Sequence, residues 1–268
     1  MSINKDDCAL LVKMAKDAGK IAKAHYDLNA SAIWNKSNNS PVTDADIAVN
    51  SFLLTALMAA RPDYGWLSEE TKDDGSRRTA KRVFVVDPID GTRAFIKRRP
   101  DFVVSLAVIT KDGPVAGALY NPLTEELFEA YEGGGAKYNG APISVSDCEG
   151  ISGCKMIGYD FKFTAKKWPS MICEARNSMA YRIGLVAAGK ADATVAFTPK
   201  SDWDLAAAEV IAREAGAVIT DIDGMPLQYN HDTTENSGVI CAGPRLYPKL
   251  LQQVKTGMGN IAPPSPRD

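Results

Sequence analysis

Histidine is nearly absent: His25 and His231 are the only two in 268 residues. His25 falls on a polar helical position and His231 in a Thr/Asn-rich turn, and neither has an obvious serine or cysteine partner. Nucleophilic catalysis of the Ser–His or Cys–His type therefore has no support. Cysteine is also sparse. Cys8, Cys148, Cys154, Cys173 and Cys241 are odd in number and scattered, with no CxxC and no His/Cys cluster for zinc. They read as reduced thiols of a cytoplasmic protein. No apolar run approaches the 18 or so residues of a membrane span, and the start, MSINKDDCALLVKMAKDAGK, carries acids and lysines through its apolar positions. It reads neither as a signal peptide nor as an anchor. With 31 basic and 33 acidic residues the net charge is −2, so no global basic field points to nucleic acid or membrane. Local basic groups at Arg77-Arg78, Lys81-Arg82 and Lys97-Arg98-Arg99 read as solvated surface, with attraction of an anionic substrate as the alternative. No GxGxxG opens a helix after a strand. GGGAKYNG lacks the strand–loop–helix context of a P-loop, and reads as hairpin turns.

What is present is an ordinary soluble composition, 45% hydrophobic and 24% charged, in a chain long enough for one large domain or two closely packed halves. Apolar residues at helical spacing over 6–27 predict an amphipathic helix. A second helix over about 44–60 follows a polar turn-rich segment, with Thr43 and Asp46 spaced as a capping box. Strands are expected at 82–87, 102–110 and 113–122, the last two joined by a hairpin at Lys111-Asp112-Gly113. Beyond about residue 147 short strands alternate with helices, among them SMAYRIGLVAAGKAD and DWDLAAAEVIAREAG, the latter with Gly216 placed for a left-handed C-cap. The organisation predicted is α/β, with an α+β N-terminal half over 1–146 and an α/β C-terminal half over 147–268. The tail IAPPSPRD is expected to be disordered.

The stretch VFVVDPIDGTRAF concentrates the chemistry. A β-rich run ends at Asp87, Pro88 is expected to stop the ladder because it has no N–H, and Gly91-Thr92 opens a short helix. Such a turn would gather Asp87, the Ile89 carbonyl and Asp90 around one point, with the Gly91 and Thr92 amides facing outward. Hard oxygen ligands beside amides that can receive an anion suit Mg²⁺ and a phosphate ester. The plainer reading is a turn in which one acid caps the helix, but one cap does not need two acids. Glu69 and Glu70 precede Asp87 in LSEET and read either as a solvated loop or as further ligands. Asp202 and Asp204 open the 204–215 helix, and there, as for Asp46, capping alone is a sufficient explanation.

Asp87-Pro88-Ile89-Asp90-Gly91-Thr92, the upstream Ser68-Glu69-Glu70 and the downstream Trp203-Asp204-Leu205-Ala206-Ala207-Ala208, in that order, resemble the inositol monophosphatase superfamily over roughly residues 10–250. The resemblance implies a layered αβαβα sandwich and a Mg²⁺-dependent, lithium-sensitive phosphomonoesterase. It implies Glu69, Asp87 and the Ile89 carbonyl around one Mg²⁺, Asp87, Asp90 and Asp204 around a second, and a weaker third near Glu69 and Glu70 in some members. Asp46 and Thr92 would orient and help deprotonate the attacking water, with Glu70 beside them in the catalytic set. Gly91, Thr92, Asp90, Asp204 and Lys36, the last in the NKSNNS loop, would face the substrate. Two branches compete. The inositol-hydrolysing branch carries an acid seven positions before the metal-binding aspartate, where this chain has Phe197. The 3′(2′),5′-bisphosphate nucleotidase branch, acting on 3′-phosphoadenosine 5′-phosphate, is resembled by NSPVTDADIAVN and GTRAFIKR, yet often has an acid where this chain has Ala94. A homodimer with a small-molecule phosphate substrate is implied. The alternative of another class is a protein- or RNA-interaction factor with residual phosphatase activity.

Overall fold

The computed structural model describes residues 2–28, 32–35, 41–159, 163 and 168–258. Lys36 and the tail beyond 258 lie outside the described residues. In chain order the elements are α1 (Ile3–Leu28), β1 (Ile33–Asn35), β2 (Pro41–Thr43), α2 (Asp44–Ala60), β3 (Gly65–Ser68), a 3₁₀ turn (Ser76–Thr79), β4 (Val83–Asp90) and α3 (Thr92–Ile96). They continue with β5 (Val103–Thr110), β6 (Gly113–Asn121), β7 (Glu126–Tyr131), β8 (Ala136–Tyr138), β9 (Ala141–Pro142), β10 (Lys155–Ile157) and β11 (Ile172–Glu174). The chain then forms α4 (Met179–Ala187), β12 (Ala193–Ala196), β13 (Lys200–Ser201), α5 (Asp202–Glu214), β14 (Val218–Thr220), β15 (Glu235–Asn236), β16 (Val239–Ala242) and α6 (Tyr247–Met258).

Two sheets organise these elements. Strands β3 to β9 lie in sequence order in a seven-stranded sheet, parallel at β3–β4 and antiparallel elsewhere. The second sheet has the order β11-β10-β12-β16-β14. Side-chain alternation along the strands dictates the layering, since successive residues face opposite sides. In β4, Phe84 and Val86 join Leu11, Ala15, Val49 and Leu53 of α1 and α2, whereas Val83 and Val85 join Ile183 of α4 and Ala207 and Ile211 of α5. In β16, Val239 and Cys241 face that same α4–α5 layer, and Ile240 and Ala242 face Leu250 and Val254 of α6. The result is the helix–sheet–helix–sheet–helix order that the resemblance implied. Among the described residues no helix is long and apolar enough to cross a membrane.

Two departures from the sequence reading shape the rest. Pro88 does not end the ladder. β4 continues to Asp90, pairing Asp87 with Ser105 and then Asp90 with Val103, so three steps on β4 match two on β5. This is a bulge, a place where proline's missing N–H is tolerated. Its consequence is directional. Residues three apart on a regular strand face opposite sides, but the extra residue returns Asp90 to the side that Asp87 faces, while Ile89 packs with the α1–α2 layer. Second, 172–174, ambiguous in the sequence, is a strand paired in parallel with β10.

Helix α5 sits unusually close to the main sheet. Gly117 lies beneath it, and a Cβ there would come within 2.7 Å of the Ala207 carbonyl oxygen and of Val210 Cγ1. The small residues Ala206, Ala207 and Ala208 complete this close approach, and Ser105 Oγ on β5 donates to the Trp203 carbonyl oxygen at 3.2 Å. The first turn of α5 is thereby fixed over the end of β4. Gly117→Val is expected to cost about 2 kcal/mol through overpacking, read as a lower urea midpoint with the denaturant slope unchanged.

Candidate metal centre

Asp87, Asp90 and Asp204 each offer a carboxylate oxygen to one point, with the three atoms within 4.8 Å of one another. Asp87 and Asp90 are buried and Asp204 is partly buried. The β4 bulge brings the first two together and the sheet contact of α5 brings the third. Asp87 Oδ1 accepts from the Ile89 amide at 3.0 Å, closing the turn around Pro88. Asp90 is held by the start of α4: the Ala180 amide donates to it at 2.7 Å, the Met179 amide at 3.3 Å and Ser178 Oγ at 2.5 Å. Ser178 is itself the N-cap of α4, with its Oγ accepting from the Tyr181 amide. Asp204 lies in the first turn of α5 and accepts from the Ser201 amide at 3.0 Å.

The second half of the site is the Asp46–Thr92 pair. Asp46 is the third residue of α2, and the predicted capping box is present: Asp46 Oδ2 accepts from the Thr43 amide at 2.8 Å, and Thr43 Oγ1 accepts from the Asp46 amide at 3.4 Å. The other oxygen, Oδ1, is left toward Thr92, whose Oγ1 lies 3.2 Å from it and 3.1 Å from the Ile89 carbonyl oxygen. One hydroxyl proton can serve only one of these acceptors at a time. Gly91 makes the corner between β4 and α3 at φ 102°, where a Cβ would lie 2.8 Å from the Asp101 carbonyl oxygen, so glycine is required there on two counts.

Glu69 follows β3, whose parallel pairing with β4 brings it beside the cluster. Its amide donates to the Val86 carbonyl at 3.2 Å. Its charge acts on Asp46, Asp87 and Asp204. A polar brace from α2 holds this corner, with Ser68 Oγ donating to Asn50 Oδ1 at 2.6 Å and Asn50 Nδ2 donating to Thr71 Oγ1 at 3.1 Å. Glu70 follows in the turn, its amide donating to Ser68 Oγ at 3.3 Å; its carboxylate is not among the three converging ligand oxygens.

Burial dominates the electrostatics. It pushes the Asp87 carboxyl well above the usual range, reinforced by the charges of Glu69, Asp90, Asp204 and Asp46. Asp90 is also raised by burial, with the Ser178, Ala180 and Met179 hydrogen bonds opposing the shift. Asp204 rises to about 7, from burial first and the Asp90 charge second. Asp46 rises to about 6, from burial against the Thr43 bonds. Clustered hard oxygens that repel one another fit a divalent cation such as Mg²⁺.

Three further contributors escape the sequence reading. Ser178 carries an N-cap signal in NSMAY that could have exposed it. Lys200, whose charge acts on Asp90 and Asp204, and the buried Arg182 have no sequence signal that singles them out.

A carboxyl whose pKa is higher folded than unfolded binds more protons when folded, so stability falls as pH rises through the interval. For Asp204 the interval runs from 3.8 to about 7. Metal-free protein is expected to lose melting temperature across it, and Asp204→Asn to flatten part of that slope. Mg²⁺, which would bind the ionised carboxylates, should raise the melting temperature more at about pH 7.5 than at about pH 5; thermal scans of both proteins over this range check the sign.

Comparison with known proteins adds three findings. The family model described as the inositol monophosphatase family matches residues 5–258. Among curated relatives, the inositol monophosphatase of Dictyostelium discoideum is 31% identical over 254 residues, covering 89% of this chain and 91% of that protein. The Nus factor SuhB of Escherichia coli strain K12 is 28% identical over 263 residues, covering 92% and 94%. Among solved structures, the extragenic suppressor protein suhB of Bartonella henselae superposes with a TM-score of 0.83 at 27% identity, covering 93% of this chain and 98% of that one. An IMPase of Thermotoga maritima has the same fold, with a TM-score of 0.84 at 24% identity over 96% of this chain and 100% of that one.

Proposed function

This chain belongs to the inositol monophosphatase family, and from that premise we propose that it is a Mg²⁺-dependent phosphatase that hydrolyses a small phosphate monoester by attack of water. The observation that carries this reading is the convergence of the Asp87, Asp90 and Asp204 oxygens beside a hydroxyl–carboxylate pair, Thr92 and Asp46. Asp87, Asp90, Asp204, Glu69 and the Ile89 carbonyl would hold the metal. Bound there, Mg²⁺ supplies Lewis-acid chemistry, making hydroxide accessible near neutral pH and offsetting charge on the phosphoryl group.

The chain's own groups do the rest. Asp46 Oδ2 is tied to Thr43, which fixes the carboxylate and leaves Oδ1 for the Thr92 hydroxyl. With its pKa raised to about 6, Asp46 is a base matched to neutral conditions. Thr92 is oriented by Asp46 and the Ile89 carbonyl, and would align the attacking water while Asp46 receives its proton. The Gly91 and Thr92 amides, at the corner that only glycine can turn, would receive phosphate oxygens. No serine, cysteine or histidine intermediate is involved.

Inositol phosphate is the first substrate class to test, on the strength of the family. The alternative, a 3′(2′),5′-bisphosphate nucleotidase, draws support from Phe197. Its ring packs with Phe163 at 5.9 Å and Trp168 at 6.2 Å between centroids, and a phenyl ring offers no acceptor for sugar hydroxyls. A reading of another class, an interaction factor, draws support from relatives named Nus factor SuhB; the convergent carboxylates favour catalysis over it. An inactive Asp87→Asn protein that still complements a deletion strain would favour the interaction role.

Phosphate release from inositol 1-phosphate, 3′-phosphoadenosine 5′-phosphate, fructose 1,6-bisphosphate and histidinol phosphate, measured with Mg²⁺, tests the proposal. Activity on at least one ester should vanish with EDTA and fall by about 10³-fold or more in Asp87→Asn and Asp90→Asn. Undiminished turnover in either variant would refute the assignment.

A further inference from the structure

Arg77, in the 3₁₀ turn between β3 and β4, is one of the largest side chains that the fold buries completely, at 1% exposure. A buried guanidinium must have its donors satisfied, and the partners of Arg77 lie in two directions. On one side Nε and Nη2 donate to Asp73 Oδ2 at 3.1 and 2.8 Å. Its backbone rests on the first residue of β3, where a Cβ on Gly65 would come within 2.9 Å of the Arg77 Cα. Residues 65–77 are thereby closed on themselves, with Glu69 and Glu70 inside the closed segment. On the other side Nη1 donates to Asn230 Oδ1 at 2.6 Å and Nη2 to the His231 carbonyl oxygen at 2.9 Å, 153 and 154 positions along the chain.

Asn230 passes the contact on. Its amide donates to Asp202 Oδ2 at 3.0 Å, from a left-handed backbone at φ 64° that asparagine tolerates better than most residues. Asp202 is the first residue of α5 and is also 1% exposed. Its amide donates to the Thr234 carbonyl oxygen at 2.8 Å, and its Oδ1 is buried without a hydrogen-bond partner. The Tyr229 hydroxyl donates to Glu209 Oε2 at 2.5 Å. Asp202 and Glu209 are two helical turns apart, so the 229–234 segment is fastened along one face of α5. Arg78 adds an ion pair with Asp232, but that pair is exposed and contributes little.

The contacts therefore run from the acid turn to α5 through Asp73, Arg77, Asn230 and Asp202. Each end adjoins an acid of the metal centre: Asp73 follows Glu70 by three residues, and Asp202 precedes Asp204 by two. Gly117 and Ser105 set α5 over the inner strands of the main sheet. They do not reach β3, which is the edge strand and has only β4 beside it. Like charges on the acid turn and on α5 push these two segments apart until a cation is present. The buried bonds of Arg77 oppose that separation.

We propose that Arg77 is a positioning residue for the metal centre. Through Asn230 and Asp202 it holds the Glu69–Glu70 turn against the first turn of α5, and so sets the affinity for Mg²⁺ before substrate binds. The inference rests on the metal centre of the phosphatase reading and adds to it a residue that is not itself a ligand.

Calorimetric titration of the full-length, metal-free protein with Mg²⁺, well below its melting temperature, is the test. Arg77→Met should bind Mg²⁺ about tenfold more weakly, the lower end of what losing an outer hydrogen-bonding partner costs a metal site. Arg77→Lys should recover part of the loss, because lysine keeps the charge but not the fork. Asn230→Gly suits the left-handed backbone and removes only the acceptor; it should weaken binding by about threefold, since the His231 carbonyl remains. Asn230→Asp keeps an acceptor and should bind as the wild type does. In Arg77→Met the Asn230→Gly change should add nothing, because the donor is already gone. A merely structural role would lower the melting temperature and leave Mg²⁺ affinity unchanged in the folded variants, which overturns the proposal. So does an Asn230→Gly effect of equal size with and without Arg77. If Arg77→Met fails to fold, the Asn230 variants decide: weaker binding by Gly but not by Asp sustains the proposal, and equal binding by the two overturns it. A wild type that binds no Mg²⁺ refutes the phosphatase reading and this inference together, whereas wild-type affinity in the variants refutes this inference alone.

Discussion

Holding several carboxylates together inside the protein is the constraint on which the other features depend. Two unit charges at the 4.8 Å limit that bounds the Asp87, Asp90 and Asp204 oxygens repel by roughly 3 kcal/mol per pair at an effective dielectric of about 20. The fold meets this by bringing helix starts to one place. Asp90 receives two amides and a hydroxyl from the start of α4, Asp204 sits in the first turn of α5, and Asp46 sits in the first turn of α2. Each is a location where the helix dipole favours negative charge. Asp87 has no helix start, only the Ile89 amide, and it is pushed well above the normal range. It is therefore the carboxylate with most to gain from a cation.

The same constraint explains why the acids are partly legible in the amino-acid sequence. Two aspartates three apart around Pro-Ile are more than a turn requires, and that excess points to metal. The capping box at Thr43 and Asp46 is readable because local spacing determines it, and the folded chain keeps it. What local pattern cannot supply is direction. A strict strand would send Asp87 and Asp90 to opposite faces, and the bulge that reunites them depends on pairing with Ser105 and Val103. Pro88 reads as a stop because it lacks an N–H; in a bulge that N–H has no ladder partner to lose, so the strand resumes.

Long-range pairing hides other features. The parallel contact of β3 with β4 positions Glu69, and nothing in GWLS announces it. The paired β1 and β2 and the four-residue β16 are too short to stand out, although β16 lies between β12 and β14 in the second sheet, whereas α6 escapes the sequence reading despite Tyr247, Leu250, Leu251 and Val254 at helical spacing. Trp203-Asp204 is recognisable as a motif, but its arrival at the metal point depends on Gly117, almost ninety positions earlier, clearing space for α5. Lys200 and Arg182 are invisible for a related reason. A lysine before a helix and an arginine within one are usually solvated, and only the tertiary structure shows the charges they face.

Helix α4 connects these arguments. Its first turn binds Asp90 and carries Arg182, and both that turn, through Tyr181, and the segment after the helix, through Lys190, are tied to the main sheet at Glu126. That carboxylate accepts from Lys190 Nζ and from the Tyr138 and Thr124 hydroxyls at 2.8 Å each, and from the Tyr181 hydroxyl. Burial opposes its ionisation, yet these bonds outweigh burial and hold its pKa at about 2. Glu126 is thus an ionised anchor at neutral pH, whereas Asp87, Asp90 and Asp204 are poised to hold protons unless a cation is present. A helix tied to a satisfied charge through both Tyr181 and Lys190 has little freedom to retreat from the unsatisfied acids. Preorganisation of this kind keeps the start of α4 aimed at Asp90 before metal or substrate arrives, and it fixes Arg182 relative to Asp90 because both depend on the same turn of helix.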